Sequence, residues 1–396
     1  MDLTSGLPFW PIRDGLIRVY PALTSDVHCD ALIIGGGITG ALLSHELTRR
    51  GVDCVLLERR EIGHGSTSAS TALLQYELDA PLRKLCEHVG TAVAERAYTL
   101  GIEAIRYLEK LGRSECDFAR RPSLLIARRQ ADIPGLRKEF EARRRARLPV
   151  KWLDRSDLKN CGVRSGGAIR SSMAAEADPY KLMHRLLSLS SKRGLRIFDR
   201  TTALRYSHSK SNVTVRTDRG AKVHCKAVFF ASGYETQDIF PKSIVRLKST
   251  YAFVSEPVEN FDWWKDRALI WDTGDPYLYM RTTRDGRIIV GGEDDGVLDP
   301  TRRDFRIPAK TQKLLTRFQS VFPGRRLESA FAWAGIFGGT KDGLAYIGRY
   351  RAFPLGYFAL GFGGNGITFS AIAAWVLTDI FLGRKNRDEA MFSFDR

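Results

Sequence analysis

Three glycines, Gly35, Gly37 and Gly40, close the short apolar run Ala31-Leu32-Ile33-Ile34 in a G-x-G-x-x-G pattern, and an acid, Glu58, ends the next apolar run, Val55-Leu56-Leu57. Residues of these types at this spacing bind phosphate and ribose. A glycine at 35 permits a tight turn, and one at 37 lets backbone N–H groups approach a pyrophosphate with no Cβ in the way. A glycine at 40 lets a following helix pack close on the strand. The N-terminus of that helix, with Ile38 and Thr39, offers free N–H groups and partial positive charge to the phosphates. Glu58 is placed to accept hydrogen bonds from ribose hydroxyls.

That chemistry needs a strand, a helix and a second strand in order. The chain supplies them: Ala41-Leu42-Leu43, Leu47 and Arg50 keep helical period between the two apolar runs. The full βαβ context makes this a dinucleotide site rather than an ordinary glycine-rich turn. Two further strand ends meet small residues. Ala227-Val228-Phe229-Phe230-Ala231 runs into Ser232-Gly233, and Tyr357-Phe358-Ala359-Leu360-Gly361 runs into Phe362-Gly363-Gly364-Asn365-Gly366, followed by an apolar helix from Ile367 to Phe381. NAD needs only the first motif. FAD is longer, and its flavin must be met by a second set of N–H groups, which Gly366, Ile367 and Thr368 would supply as a helix first turn.

The remaining elements frame these motifs. Residues 1–26 form an arm lying on the body, and a hydroxyl-rich loop, Gly63 to Thr71, leads into Leu73-Leu74-Gln75-Tyr76. Helical spacing covers 81–89, 91–111 and 134–147, and Asp178-Pro179 caps a helix that runs until Gly194. Short strands are expected at 123–127, 195–198, 213–217 and 226–231, and residues 244–297 are β-rich. The fold class is α/β (α+β overall), a Rossmann-type FAD-binding domain with a second, mainly antiparallel-sheet substrate domain. The expected division is discontinuous, with 1–116, 167–243 and 328–396 binding FAD, and 117–166 and 244–327 binding substrate.

Composition narrows the class. The chain has 396 residues, 43% of them apolar, which is enough for two substantial cores. No apolar run approaches the roughly 20 residues of a membrane span, and the first ten residues lack a secretory pattern. The six cysteines are scattered with no C-x-x-C pair, and the histidines are dispersed. Both point to a reducing, cytoplasmic setting without a metal site. The formal charge of +17 raises nucleic acid as a partner. However, the densest run, Arg143, Arg144, Arg145 and Arg147, reads as one exposed helix face without interleaved aromatics.

Taken together, Ala31–Glu58, Gly63–Tyr76, Ala177-Asp178-Pro179, Ala227–Tyr234, Arg287–Asp294, Trp333–Arg349 and Gly356–Ser370 resemble the D-amino-acid oxidase superfamily of FAD-dependent oxidoreductases, in the branch of glycine oxidases and γ-glutamylputrescine oxidases. The resemblance spans the whole chain. It implies that Gly35, Gly37, Ile38, Thr39 and Gly40 hold the pyrophosphate and that Glu58 and Arg59 meet the adenosine ribose. It places Ser66, Thr67, Ser70 and Thr71 along the pyrophosphate and flavin edge, Ala203 at the adenine, and Ala231, Ser232 and Gly233 beside the cofactor. Gly363, Gly364, Asn365, Gly366, Ile367 and Thr368 contact the isoalloxazine.

The pattern departs in one informative place. Amino-acid oxidases of the family read roughly Gly-Leu-Arg-Pro-Gly-Thr-x-Asp-Gly where this chain reads Gly335-Ile336-Phe337-Gly338-Gly339-Thr340-Lys341-Asp342-Gly343. Phe337 thus stands where relatives grip the substrate carboxylate with arginine, and a phenyl ring cannot replace a bidentate guanidinium. Either another cation serves, Arg281 being the candidate, or the substrate is an amine without an α-carboxylate. Tyr76, Tyr251, Tyr279, Trp333 and Phe337 are candidate pocket walls. Histidine and cysteine are missing where relatives attach flavin covalently, so FAD is expected to be non-covalent. The expected activity is oxidation of a C–N bond of an amine or amino acid by hydride transfer to flavin N5, giving an imine that hydrolyses, with O2 or another acceptor reoxidising the flavin. Two alternatives use the same domain: a tRNA-modification-type enzyme exploiting the basic surface, and a non-catalytic flavoprotein subunit.

Overall fold

A computed structural model describes residues 2–396. Five parallel strands form the centre of an eight-stranded sheet, in the order Phe353–Leu360, Lys222–Phe230, Val27–Ile34, Cys54–Leu57, Arg196–Phe198. The inner strands read as unbroken apolar runs because both faces are covered. Ala31, Ile33, Leu56 and Phe229 face the helices, while Leu32, Val55, Val228 and Phe230 face a second cluster with Val213, Val215 and Phe240 on the other side. Helix Ile38–Arg49 lies between the final helix, Gly366–Phe381, and helix Pro179–Ser191. The last of these starts where expected: Asp178 Oδ1 accepts from the N–H groups of Tyr180 (2.8 Å) and Lys181 (2.9 Å). The final helix is long and apolar enough by composition to cross a membrane, but 72% of its most apolar window is buried inside the fold.

The second sheet has ten strands. Its path runs Thr4–Gly6, Ser329–Gly339, Arg246–Ser255, Ile288–Asp295, Tyr279–Thr282, Leu269–Asp272, Ala119–Ile126, Gly167–Glu176 and Leu73–Gln75, with Val150–Asp154 also on Gly167–Glu176. Every pair is antiparallel except Leu269–Asp272 with Ala119–Ile126. Helix Pro300–Val321 covers this sheet through Leu314, Phe318 and Val321. The two sheets match the expected fold class. Four strands from stretches assigned by sequence to the FAD unit, Thr4–Gly6, Leu73–Gln75, Gly167–Glu176 and Ser329–Gly339, pair into the second sheet. Period-2 patterning marks a strand but not which sheet it joins.

One expectation from charge is corrected. Arg143 is fully buried, with its Nε donating to Glu139 (2.7 Å), Glu77 at 3.9 Å and its guanidinium 5.6 Å from the Tyr98 ring. Only Arg144, Arg145 and Arg147 of that run are exposed. The arm is anchored rather than loose: Thr4–Gly6 pairs with Trp333–Gly335, and Phe9 and Trp10 are buried.

Candidate functional site

The three fingerprint glycines turn out to be needed for three different reasons. Gly35 has φ +114°, and a Cβ there would lie 2.4 Å from the Ala231 carbonyl oxygen on the neighbouring strand. A Cβ at Gly40 would lie 1.9 Å from the Gly35 oxygen. Gly37, by contrast, has an unstrained φ of −87° and only Thr67 Oγ1 nearby, at 3.0 Å. Folding therefore demands Gly35 and Gly40, while Gly37 leaves a cradle that a side chain would fill. The Glu58 carboxylate accepts from the N–H groups of Gly36 (2.7 Å) and Arg60 (2.8 Å), fixing the turn. Thr67 Oγ1 accepts from Ile38 N–H (2.9 Å), and the Thr39 and Ser370 hydroxyls meet at 2.7 Å, joining the N-terminal turns of the two central helices.

From this turn a continuous cavity of about 410 Å³ runs along all three glycine-containing strand ends. Gly35, Gly37, Ile38, Thr39, Glu58, Arg59, Ser66, Thr67, Ser70, Thr71, Ala203, Ala231, Ser232, Gly233, Gly363, Gly364, Gly366 and Ile367 all line it. Gly40, Asn365 and Thr368 do not: Gly40 is packed behind the turn, and the other two brace the far end. Asn365 Nδ2 donates to the carbonyls of Gln75 (3.2 Å) and Glu77 (2.9 Å), and Thr368 Oγ1 donates to the Asn365 carbonyl (3.0 Å). The first-turn N–H groups of the final helix have no intrahelical acceptor, and they stand where the cavity ends. Glu235, which no motif singles out, also lines the cavity and pairs with Arg59 and with Arg60 (3.0 Å).

Four of the six expected pocket residues lie elsewhere. Arg281 is 2% exposed, and its guanidinium donates to the carbonyls of Thr71 (2.6 Å), Ala177 (2.9 Å) and Thr282 (3.3 Å). Burial pulls its pKa down to about 10. Trp333 Nε1 donates to the Ala69 carbonyl (2.9 Å), and Trp10 Nε1 donates to that of Ser70 (2.6 Å). Arg281, Trp10 and Trp333 thus hold the hydroxyl-rich loop from behind and do not reach the cavity. Tyr251 faces the other side of its strand, with its hydroxyl 3.3 Å from the Asp295 carboxylate and Lys310 over its ring. Tyr76 is buried edge-on against Tyr98 at 5.9 Å.

Tyr279 and Phe337 do line the cavity, joined by Gln75, Thr250, Tyr277 and Asp294. Tyr279 lies over Gly291, its cross-strand partner, where a Cβ would meet the ring at 2.3 Å. Its hydroxyl is 3.1 Å from that of Thr250, and burial raises the pKa of both Tyr277 and Tyr279. Asp79 accepts from Gly364 N–H (2.7 Å) and the Tyr277 hydroxyl (3.0 Å) at the same end.

These residues fit an extended FAD. The open cradle at Gly37, the two neighbouring helix N-termini that face the cavity, and the buried Ser66 Oγ, which has no partner among the described residues, suit a long anionic ligand. None of the described residues lining the cavity is histidine or cysteine.

A family model described as FAD dependent oxidoreductase (DAO) matches residues 30–380. The YhfW protein of Bacillus subtilis, named as a Rieske 2Fe-2S iron-sulfur protein, is 25% identical over 95% of this chain and 73% of its own length. The γ-glutamylputrescine oxidoreductase of Escherichia coli is 22% identical over 94% of this chain and 88% of its own. Among solved structures, glycine oxidase from Geobacillus kaustophilus superposes with a TM-score of 0.77 at 19% identity, covering 93% of this chain and 99% of that one.

Proposed function

The chain belongs to the DAO family of FAD-dependent oxidoreductases, and from that premise we propose that it oxidises a C–N bond of an amine lacking an α-carboxylate. The observation that carries this reading is the wall at the flavin end of the cavity. Tyr277, Tyr279, Phe337 and Thr250 form it, and among the described residues no arginine lines it there; Arg59 and Arg60, the described arginines that do line the cavity, sit at the opposite end beside Glu58. Arg281, the remaining candidate for gripping a carboxylate, gives its donors to three backbone carbonyls.

Bound FAD supplies a two-electron acceptor for the hydride leaving the substrate α-carbon, with the electrons passing on to O2 or another acceptor. The chain's own residues bind, orient and exclude water. Tyr279, laid flat over Gly291, and Phe337 face an apolar stem. Desolvation of the reacting amine disfavours its ammonium form and so favours the neutral, reactive amine. No strong base is required once the amine is neutral and placed. The imine product then hydrolyses to a carbonyl compound and ammonia or a smaller amine. FAD held without a covalent bond is the reading supported by the absence of histidine and cysteine among the described residues lining the cavity. Relatives named for γ-glutamylputrescine and for glycine support C–N oxidation of an amine or amino acid as the reaction type.

The test is anaerobic addition of amines and amino acids, one at a time, to the purified yellow protein. Amines with an apolar or extended stem should bleach the flavin and yield a carbonyl product. Faster bleaching by glycine, sarcosine or D-alanine than by every amine would refute the reading.

A further inference from the structure

The flavin end of the cavity carries charge of one sign close to its aromatic wall. Asp294 ends the strand Ile288–Asp295 and lies where the main cavity meets a second, outer one of about 640 Å³. Its Oδ1 is buried and has no hydrogen-bond partner among the described residues, the Thr250 hydroxyl being the one donor that bears on the carboxyl. Asp79 stands by Gly363, Gly364 and Tyr277, all of which line the main cavity. Burial lifts the pKa of both carboxyls, that of Asp294 to about 6 with the Asp79 charge adding to the rise. The nearest cations are Lys248 and Lys310. Lys248 is exposed in the outer cavity and within 4 Å of no carboxylate among the described residues, while Lys310 is bound to Asp295 (3.1 Å). A buried carboxylate oxygen without a donor is costly unless something cationic meets it, and tyrosine faces beside it suit an ammonium or a guanidinium.

We propose, resting on the C–N oxidation reading above, that the substrate carries a second cationic group at its far end, held by Asp294 with Asp79 and the Tyr277 and Tyr279 rings beside it. The substrate class is then a diamine or an amine with a cationic tail. One amine lies neutral at the reacting end against the aromatic wall, and the other is charged at the junction of the two cavities. The outer cavity, lined by Asp275, Asp294 and Asp295 as well as Arg246 and Lys248, is the approach that such a tail would use.

The experiment uses FAD-loaded protein and matched trios of three to six carbons: the α,ω-diamine, the simple alkylamine and the ω-amino acid. Anaerobic titration reads two signals, the ligand-induced shift of the flavin spectrum, which gives Kd, and the rate of flavin reduction. Kd should be lowest for the diamine and highest for the ω-amino acid. In Asp294→Asn, an isosteric change, the diamine-over-alkylamine preference should collapse on the order of thirtyfold, and Asp79→Asn should lower it in the same direction. Flavin content and Tm, measured alongside, report whether each variant is folded. Tighter binding of the ω-amino acid, for example through Lys248, or an unchanged preference in both variants would overturn the proposal while leaving C–N oxidation intact. Preferential diamine binding without flavin reduction would support the cation site and sink the oxidation reading.

Discussion

Replacing Gly37 separates the demands of folding from those of the cofactor. In Gly37→Ala the new Cβ meets only Thr67 Oγ1, at 3.0 Å, and the backbone, at φ −87° and ψ −170°, is one any residue adopts. Losing glycine at a helix N-cap costs up to about 1 kcal/mol. Restricting the unfolded chain returns about 0.4–1 kcal/mol. FAD-free wild type and variant should therefore melt within about 2 °C of each other. The loaded proteins should not. At a flavin concentration about a hundredfold above Kd, bound FAD adds roughly 2.7 kcal/mol of stability, a rise on the order of 5 °C. Gly37→Ala should lose most of that increment and Gly37→Val all of it, because the side chain occupies the approach to the pyrophosphate. Differential scanning fluorimetry with and without added FAD, paired with flavin-to-protein absorbance ratios, reads both quantities. Gly40→Ala is the contrasting control: its Cβ would lie 1.9 Å from a backbone oxygen, so that variant should fail to fold. Stoichiometric flavin in Gly37→Val would show the fingerprint to be misassigned. Collapse of FAD-free Gly37→Ala would show that glycine there serves folding instead.

Arg281→Met should cost on the order of 2–4 kcal/mol of stability by stranding buried carbonyls, with Tm and flavin retention falling together. A selective loss of amino-acid turnover at unchanged Tm would instead return Arg281 to the substrate. Phe337→Arg should raise kcat/KM for amino acids relative to amines by about tenfold or more, and no shift would mean that the side chain does not face the substrate. Diamine binding should weaken as pH falls through about 6, because burial holds the Asp294 carboxyl at that value and its neutral form attracts no cation. Thr250, Lys248 and Lys310 bear on the same group, pulling its pKa down, while Asp79 pushes it up. Asp294→Asn should remove that limb of the binding profile, and its persistence would assign the titration to another group. Acid precipitation should release all flavin to the supernatant, and yellow colour left in the pellet would mean a covalent bond.

The cofactor cradle was legible because its chemistry is local. The glycines, the acid at 58 and the two helix starts lie within short stretches whose period and residue type define strand, turn and helix. The pocket wall was not, because spacing along a strand does not say where a cavity ends. Phe337, Gly335 and Trp333 alternate onto one face of Ser329–Gly339, yet the cavity stops before Trp333, which reaches the loop at Ala69 instead. Arg281 has the parity of Tyr279 but lies two residues further on, beneath Thr71 and Ala177. At Tyr251 a register irregularity beside Ser249 accompanies a side chain turned to Asp295, while Thr250 faces the cavity. Asp294 had a signal: it follows Gly291-Gly292, the pair that makes room for the Tyr279 ring and turns the strand end at φ +139°. Asp79 and Glu235 had none, since each acts on groups far away in sequence.

C–N oxidation as proposed requires this chain to break an amine α-C–H bond as its FAD is reduced. Anaerobic stopped-flow reduction by a matched pair of amines, one with deuterium on the α-carbon, reads that bond cleavage. Reduction should be several-fold slower with the deuterated amine. Equal rates for the two, or reduction by neither, would contradict it.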